Sequence, residues 1–343
     1  MPKKKISIKD IARSLGISIT TVSFILNGKA KEKRISDELT LKVEEYIKHV
    51  GYRPSHLAQS LRLGKSKVIV FMVEDISNQF FASIARKIEE KAYKNGYKII
   101  YCSTDNDPDK AKALIDTFKV RSVDGFIITP TPDLESTITE LIEEDFAVLL
   151  FDRWIPSIDC SYVVVENEKS AFEATSHLIQ NGCMNIGFVT VASDQIQMID
   201  RLEGYGKAIE AHGQNKKVLM LPFHHLSENS ASHKIQQFVK SNTDLDALFF
   251  ATNYLAFEGL QALNNLKKQI PNDLLVVSFD DHYFFTLFQP NISAIEQPLE
   301  TIAEKLMEGM LKMLNGNGDP KLDFKIILPN TLHIRESSDF KKI

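Results

Sequence analysis

Ser18, Thr20, Thr21 and Ser23 place four hydroxyls on one short stretch, interleaved with Val22, Ile25 and Leu26. On a helix that spacing separates an apolar face from a polar one. Short hydroxyl side chains near a helix start reach phosphate oxygens and base edges in a DNA major groove. Ile19, Thr20 and Phe24 would then project outward, and an aromatic ring there suits a thymine methyl. The plainer alternative is a capped helix whose Phe24 packs in a core. The adjacent His224 and His225 invite a metal or acid–base role, but neither has a second His or Cys at metal-ligand spacing, so a loop pair is expected. The patterns GxxxxGK[ST], GxGxxG after a strand, HExxH and GxSxG are absent, so no catalytic residue, metal or cofactor is expected. Cys102, Cys160 and Cys183 stand far apart without CxxC spacing, which disfavours a disulfide framework and fits a reducing cytosol.

The elements that must position those hydroxyls are legible. Ile8, Ile11, Ala12 and Leu15 recur at spacings of three and four, and Gly16 offers a left-handed end. Ser18 sits where an N-cap belongs, Asn27-Gly28 closes the second helix, and Ser36 opens a third that runs to Gly51. Two short helices about a tight Gly-containing turn predict a helix-turn-helix. Residues 53–67 read as a linker with room for one short helix. From Val68 onward strand and helix patterns alternate. Strands are expected at Val68–Val73, Lys98–Cys102, Gly125–Ile128, Ala147–Phe151, Tyr162–Val165, Ile186–Thr190, Val218–Leu221, Ala247–Phe250, Leu274–Ser278 and Ile292–Ile295. Amphipathic helices such as Phe81–Asn95, Lys169–Asn181, Leu202–His212, Tyr254–Lys267 and Leu299–Leu314 separate them. This alternation predicts an α/β body with parallel sheets, and its size favours two similar lobes over one core.

The 343 residues are 43% hydrophobic and 25% charged, an ordinary globular composition. The apolar runs are too short to span a bilayer, and no apolar segment follows the N-terminal lysines as a secretory signal requires. Formal net charge is -4, yet residues 1–67 hold 15 Lys/Arg against 6 Asp/Glu. A basic head on an acidic body fits one domain that meets a polyanion, or else a solvated surface with a basic tail.

The run IKDIARSLGISITTVSFILNG (Ile8–Gly28), followed by YRPSHLAQSLRLGKS (Tyr52–Ser66), resembles the head and hinge of the LacI/GalR family of bacterial transcription regulators. KVRSVDGFIITP (Lys119–Pro130), FDRWIP (Phe151–Pro156), HLIQNGCMNIGFV (His177–Val189), RLEGY (Arg201–Tyr205), SFDD (Ser278–Asp281) and EQPLETIAEKL (Glu296–Leu306) continue the resemblance in the family's order. It implies a cytoplasmic homodimer on a pseudo-palindromic double-stranded operator. The DNA-facing set becomes Ser18, Ile19, Thr20, Thr21, Ser23, Phe24 and Asn27, with Ser60 and the minor-groove wedge Leu61 in the hinge. It also implies a periplasmic-binding-protein-like body closing on a small polar effector, a carbohydrate by preference. The matching cleft positions are Phe80, Phe81, Asp152, Gln195, Arg201, Asn253, Asp280 and Gln297. The implied division is a helix-turn-helix at 1–53, a hinge at 54–67 and a body at 68–337. Its lobes would take about 68–166 with 297–325, and 167–296 with 326–337. A sugar receptor without a DNA role is the alternative. The chain departs from the family pattern at Asn78-Gln79, Glu166-Asn167, Asn253-Tyr254 and Ser278-Phe279-Asp280, and carries extra residues (KAKEKR) after Gly28.

Overall fold

In the computed structural model, residues 6–52, 65–222, 230–315 and 319–339 are described, and the chain divides into two units, residues 1–66 and 67–343. The hinge positions Ser60 and Leu61, and the pair His224-His225, lie outside the described residues.

The head is three capped helices. Ser7 opens α1 (Ile8–Leu15) with a capping box, its side chain accepting from the Asp10 amide while Asp10 accepts from the Ser7 amide. Gly16 ends α1 at φ 67°, a conformation that costs glycine little. Ser18 caps α2 (Ile19–Leu26) and Ser36 caps α3 (Asp37–Val50). Ile11, Ala12, Val22, Ile25 and Val43 form the buried centre, and Ala30 and Ile35 from the loop after α2 pack onto it.

The body holds two six-stranded sheets. The first is built from β1 (Val68–Val73), α4 (Gln79–Lys94), β2 (Lys98–Ser103), α5 (Pro108–Val120), β3 (Gly125–Ile128), α6 (Glu135–Glu143), β4 (Ala147–Phe151) and β5 (Ser161–Val165). The second follows with α7 (Asn167–Gln180), β6 (Ile186–Ala192), α8 (Ile196–Ala211), β7 (Lys217–Pro222), α9 (Ser230–Ser241), β8 (Ala247–Phe250), α10 (Asn253–Asn265), β9 (Leu275–Phe279) and β10 (Ser293–Glu296). The chain then returns through α11 (Leu299–Leu314) and β11 (Lys325–Leu328) before β12 (Thr331–His333). Strand orders are β11-β5-β4-β3-β1-β2 and β12-β10-β9-β8-β6-β7, parallel throughout except for β12 against β10. Alternation along β1 divides its side chains between two cores. Ile69, Phe71 and Val73 meet α4 and α11, whereas Val70 and Met72 meet α5 and α6. Burial on both faces is why these strands are unbroken apolar runs.

Several expected boundaries move. β9 and β10 each lie one residue later than expected, and β6 runs on to Ala192. α8 starts at Ile196, six positions before the expected Leu202, because its first turn buries the polar Gln197 and exposes Ile199, so hydropathy there does not follow burial. β11 and β12 were not expected as strands. Because Ile326, Ile327 and Leu328 pair with β5 in the first sheet, the last crossing falls at Pro329-Asn330 and not after residue 325. α7 and α8 pack closely at Gly204, where a Cβ would lie 2.1 Å from the Glu168 carbonyl oxygen. Backbone cannot yield as a side chain does, so Gly204→Ala is expected to cost about 1–3 kcal/mol or more, read as a lowered melting temperature of the chain.

Candidate functional site

In a doubly wound sheet, polar side chains that meet a ligand gather past the carboxyl ends of the strands. Glu74 follows β1, Asn106 follows β2, and Asp152 and Arg153 follow β4. On the other sheet Gln195 follows β6, Asn253 follows β8, Asp280 follows β9 and Gln297 follows β10. Asp152 and Asp280 each adopt a left-handed backbone, at φ 69° and 68°, in a Phe-Asp pair that ends a strand. Such strain in a non-glycine residue persists where surrounding structure demands it and clusters at functional sites.

Arg201, only 2% exposed, lies at the centre of the second lobe's share. Its Nε donates to Asn167 Oδ1 at 2.9 Å and its Nη1 to the Ala251 carbonyl at 2.7 Å. The same Nη1 stands 3.4 Å from Asp280 Oδ2, and the guanidinium lies 3.6 Å from the Phe279 ring centroid. Gln297 Nε2 donates to the other Asp280 oxygen at 2.6 Å. The first lobe's counterpart is Arg153, also 2% exposed, whose Nη2 donates to Glu74 at 2.9 Å and to Asn106 at 3.1 Å. Gln195 crosses from the second lobe to donate to the same Asn106 oxygen at 3.1 Å. Arg153 Nε and Nη1 are buried with no hydrogen-bond acceptor among the described residues.

Of the expected cleft residues, Phe80 lines a cavity of about 210 Å³ together with Gln79, Asp280, His282 and Gln297. Phe80 also stacks on Phe151, with centroids 5.9 Å apart. Phe81 does not share that wall. It lies on the core face of α4 with Ile84 and Ile88, because those positions are one helical turn or two further on. Asn253 and Tyr254 border a neighbouring cavity of about 440 Å³ with Glu74, Asp75 and Glu258. Glu74, Asn106 and Arg153 were missed as site residues. The signal was present in the rule that strand ends face the cleft, and in the Asp105-Asn106 pair, which takes left-handed backbone in the β2–α5 loop.

In the head, Ser18 Oγ accepts from the Thr21 amide at 3.0 Å and lies 2.8 Å from the Thr21 hydroxyl. Asn27 Nδ2 donates to the Ser23 carbonyl. Ile19 and Thr20 are exposed, while Thr21, Ser23 and Phe24 are half-buried. Phe24 is therefore not sealed in the core, and Lys33 Nζ approaches its ring to 5.5 Å.

A capped helix-turn-helix followed by a two-sheet clamshell defines a DNA-binding regulator with a ligand-binding-type body. Residues 7–55 match the bacterial regulatory proteins of the lacI family, and residues 175–338 match the periplasmic binding protein-like domain. The HTH-type transcriptional regulator RegA of Clostridium saccharobutylicum is 32% identical over 311 residues, which cover 90% of this chain and 92% of that protein. The structure of a periplasmic binding protein/LacI transcriptional regulator from Alkaliphilus metalliredigens QYMF, complexed with D-xylulofuranose, is 25% identical with a TM-score of 0.70, covering 79% of this chain and 99% of that one. The lac repressor dimer bound to operator and the anti-inducer ONPF shares the fold, with a TM-score of 0.83 at 18% identity over 98% of this chain and 99% of that one. The chain belongs to the lacI family and is a DNA-binding transcriptional regulator. Among the described residues no helix is long and apolar enough to cross a membrane.

Burial pushes the Asp152 carboxyl up to about 6 from its ordinary 3.8, with Arg153 and Arg201 opposing and Asp280 and Glu74 adding to the rise. The folded state therefore holds a proton that the unfolded chain has released between those two values. Stability falls as pH rises through that window, by on the order of 3 kcal/mol once both states are ionised. Asp152→Asn is expected to melt above the wild type at pH 7, with the difference shrinking towards pH 4 in a thermal denaturation series.

Proposed function

We propose that the cleft between the two sheets binds a small polar effector, a sugar or sugar derivative, and that its occupancy changes the affinity of the head for operator DNA. The observation that carries this reading is the gathering of Asp152 and Arg153 past β4, Asp280 past β9 and Gln297 past β10 around Arg201 of α8, with Asp280 and Gln297 sharing a cavity wall with the aromatic Phe80. Forked donors and carboxylates next to a ring suit a polyol, whose hydroxyls both donate and accept. The xylulofuranose held by a relative of the same architecture supports that ligand class.

The protein acts as a homodimer in the cytoplasm, binding a pseudo-palindromic operator and catalysing no reaction. The head spans residues 1–53, the hinge 54–67 and the body from 68, with Leu61 inserted between base steps. Ser18, Ile19, Thr20, Thr21, Ser23, Phe24 and Asn27 form the major-groove surface. Closure of the lobes on the effector realigns the two hinges of the dimer and so strengthens or weakens the grip on DNA. Such coupling requires a ligand that binds one lobe arrangement better than the other.

Two measurements test this. Duplex binding by the full chain is expected to weaken by roughly 10³–10⁵ between 50 and 200 mM salt, the fall produced when 6–10 phosphate contacts release counterions. No binding of any duplex at low salt removes the regulator reading of the head. Arg201→Lys keeps the charge but loses the fork that meets Asn167, Ala251 and Asp280. In a thermal-shift screen of sugars it is expected to lose about tenfold or more in ligand affinity while duplex binding persists. Unchanged ligand affinity takes Arg201 out of the site.

A further inference from the structure

Both buried guanidiniums of the cleft already have carboxylate partners. Arg201 faces Asp280 at 3.4 Å and Arg153 faces Glu74 at 2.9 Å. Asp152 is the third carboxylate, 3.7 Å from Arg153 Nε, so three acids stand against two bases. Asp75 and Glu258 add negative charge along the neighbouring cavity, and among the described residues no lysine or arginine lines either cavity wall, the two guanidiniums lying buried behind Glu74 and Asp280. His282 lies beside them with burial lowering its proton affinity, and Asp281 is held by both terminal nitrogens of Arg335.

We infer that this cleft selects a neutral polyhydroxyl effector and rejects anionic ones, and that Glu74 sets the selection by neutralising Arg153. The inference rests on the effector reading above and adds a ligand charge to it. A phosphate or carboxylate entering here meets no unpaired cation and approaches Asp152 in a poorly solvated space, where like charges repel strongly. A hydroxyl oxygen has neither problem. It accepts from Arg153 Nε and Nη1, the two buried nitrogens without an acceptor among the described residues, and its proton is donated to a carboxylate such as Asp152. Glu74 is suited to its role by position. It projects from the end of β1, and the oxygen that meets Arg153 also accepts from Asn106 Nδ2 at 2.7 Å, which fixes it in place.

The test is a thermal-shift and calorimetric titration of the full chain against matched pairs. D-ribose is set against ribose 5-phosphate, D-glucose against glucose 6-phosphate and glucuronate, with xylulose, cellobiose and pentitols as further neutral probes. Wild type is expected to bind a neutral member at least tenfold tighter than its charged counterpart. Glu74→Gln keeps the acceptor oxygen and frees the Arg153 charge, so it is expected to gain tenfold or more for the charged member. Glu74→Asp keeps the charge and is expected to go on rejecting anions, which guards against a general loosening of the cleft. Wild type that binds an anion as tightly as its neutral pair, or Glu74→Gln that gains nothing, overturns the role of Glu74 and leaves the effector reading standing. If no member of either charge shifts the wild type or the variants, the effector reading falls and this inference with it.

Discussion

A guanidinium stripped of water must find its partners inside the protein, and the second lobe is arranged around that demand at Arg201. Arg201 comes from α8, and its partners come from the start of α7, the end of β8 and the end of β9. Four segments distant in sequence are thereby held to one point, and Gln297 extends the network to the crossing back into the first lobe. The close seat of α8 on α7 at Gly204 brings the arginine within reach of Asn167. Breaking such a network by removing the charge typically costs 3–5 kcal/mol, since the partners are left buried and unpaired. Exchange for lysine separates binding from folding more cleanly than truncation does.

The first lobe repeats the scheme on its own sheet. The strand orders correspond position for position, so β4 and β9 occupy the same place in their sheets. Each is followed by an aspartate in left-handed backbone after its final Phe, with Asp280 lining the cavity of Phe80 and Asp152 set beside Arg153. The two carboxylates do not share one environment. Asp280 is held by Arg201 and Gln297, whereas Asp152 has Arg153 at 3.7 Å and its proton affinity is raised by burial. The destabilising carboxylate is the one left with hydrogen-bonding capacity to spare, which is the usual relation between strain and function.

Local signals made the head and the inner strands readable. Serine caps at Ser18 and Ser36 and glycine ends at Gly16 and Gly51 are decided within a few residues, and the structure shows them all. Strands β1, β3, β4 and β8 are buried on both faces, so their apolar runs stand out. β11 and β12 are edge strands of four and three residues with exposed positions, and nothing in their pattern separates them from loop. Arg201, Asp280 and Gln297 were legible through their motifs. Glu74 and Asn106 had only their places after β1 and β2 to mark them, because their relation to Arg153 exists only once β1, β2 and β4 are assembled into one sheet. Phe81 shows the opposite failure. A motif placed it beside Phe80, but consecutive helix positions point about 100° apart, so one ring meets the cavity and the other the core.

The contact between lobes sets how strongly an effector can act. Gln195 reaches Asn106 through one neutral hydrogen bond, and such a bond contributes about 1 kcal/mol net. On the effector reading proposed above, a hydroxylated ligand spanning Asp152 and Arg153 on one side and Arg201 and Asp280 on the other would make bonds to charged groups, worth about 1.5–3 kcal/mol each. Reversing a two-state balance from 1:99 to 99:1 needs about 5.5 kcal/mol of differential binding. Two to four such bonds, formed only when both lobes reach the ligand together, meet that requirement. A molecule gripped by one lobe alone makes the same bonds in either arrangement and shifts nothing, however tightly it is held. Signalling by such a ligand would therefore depend on strong hydrogen-bonding groups on opposite banks of the cleft, and the matched ends of β4 and β9 each offer a carboxylate.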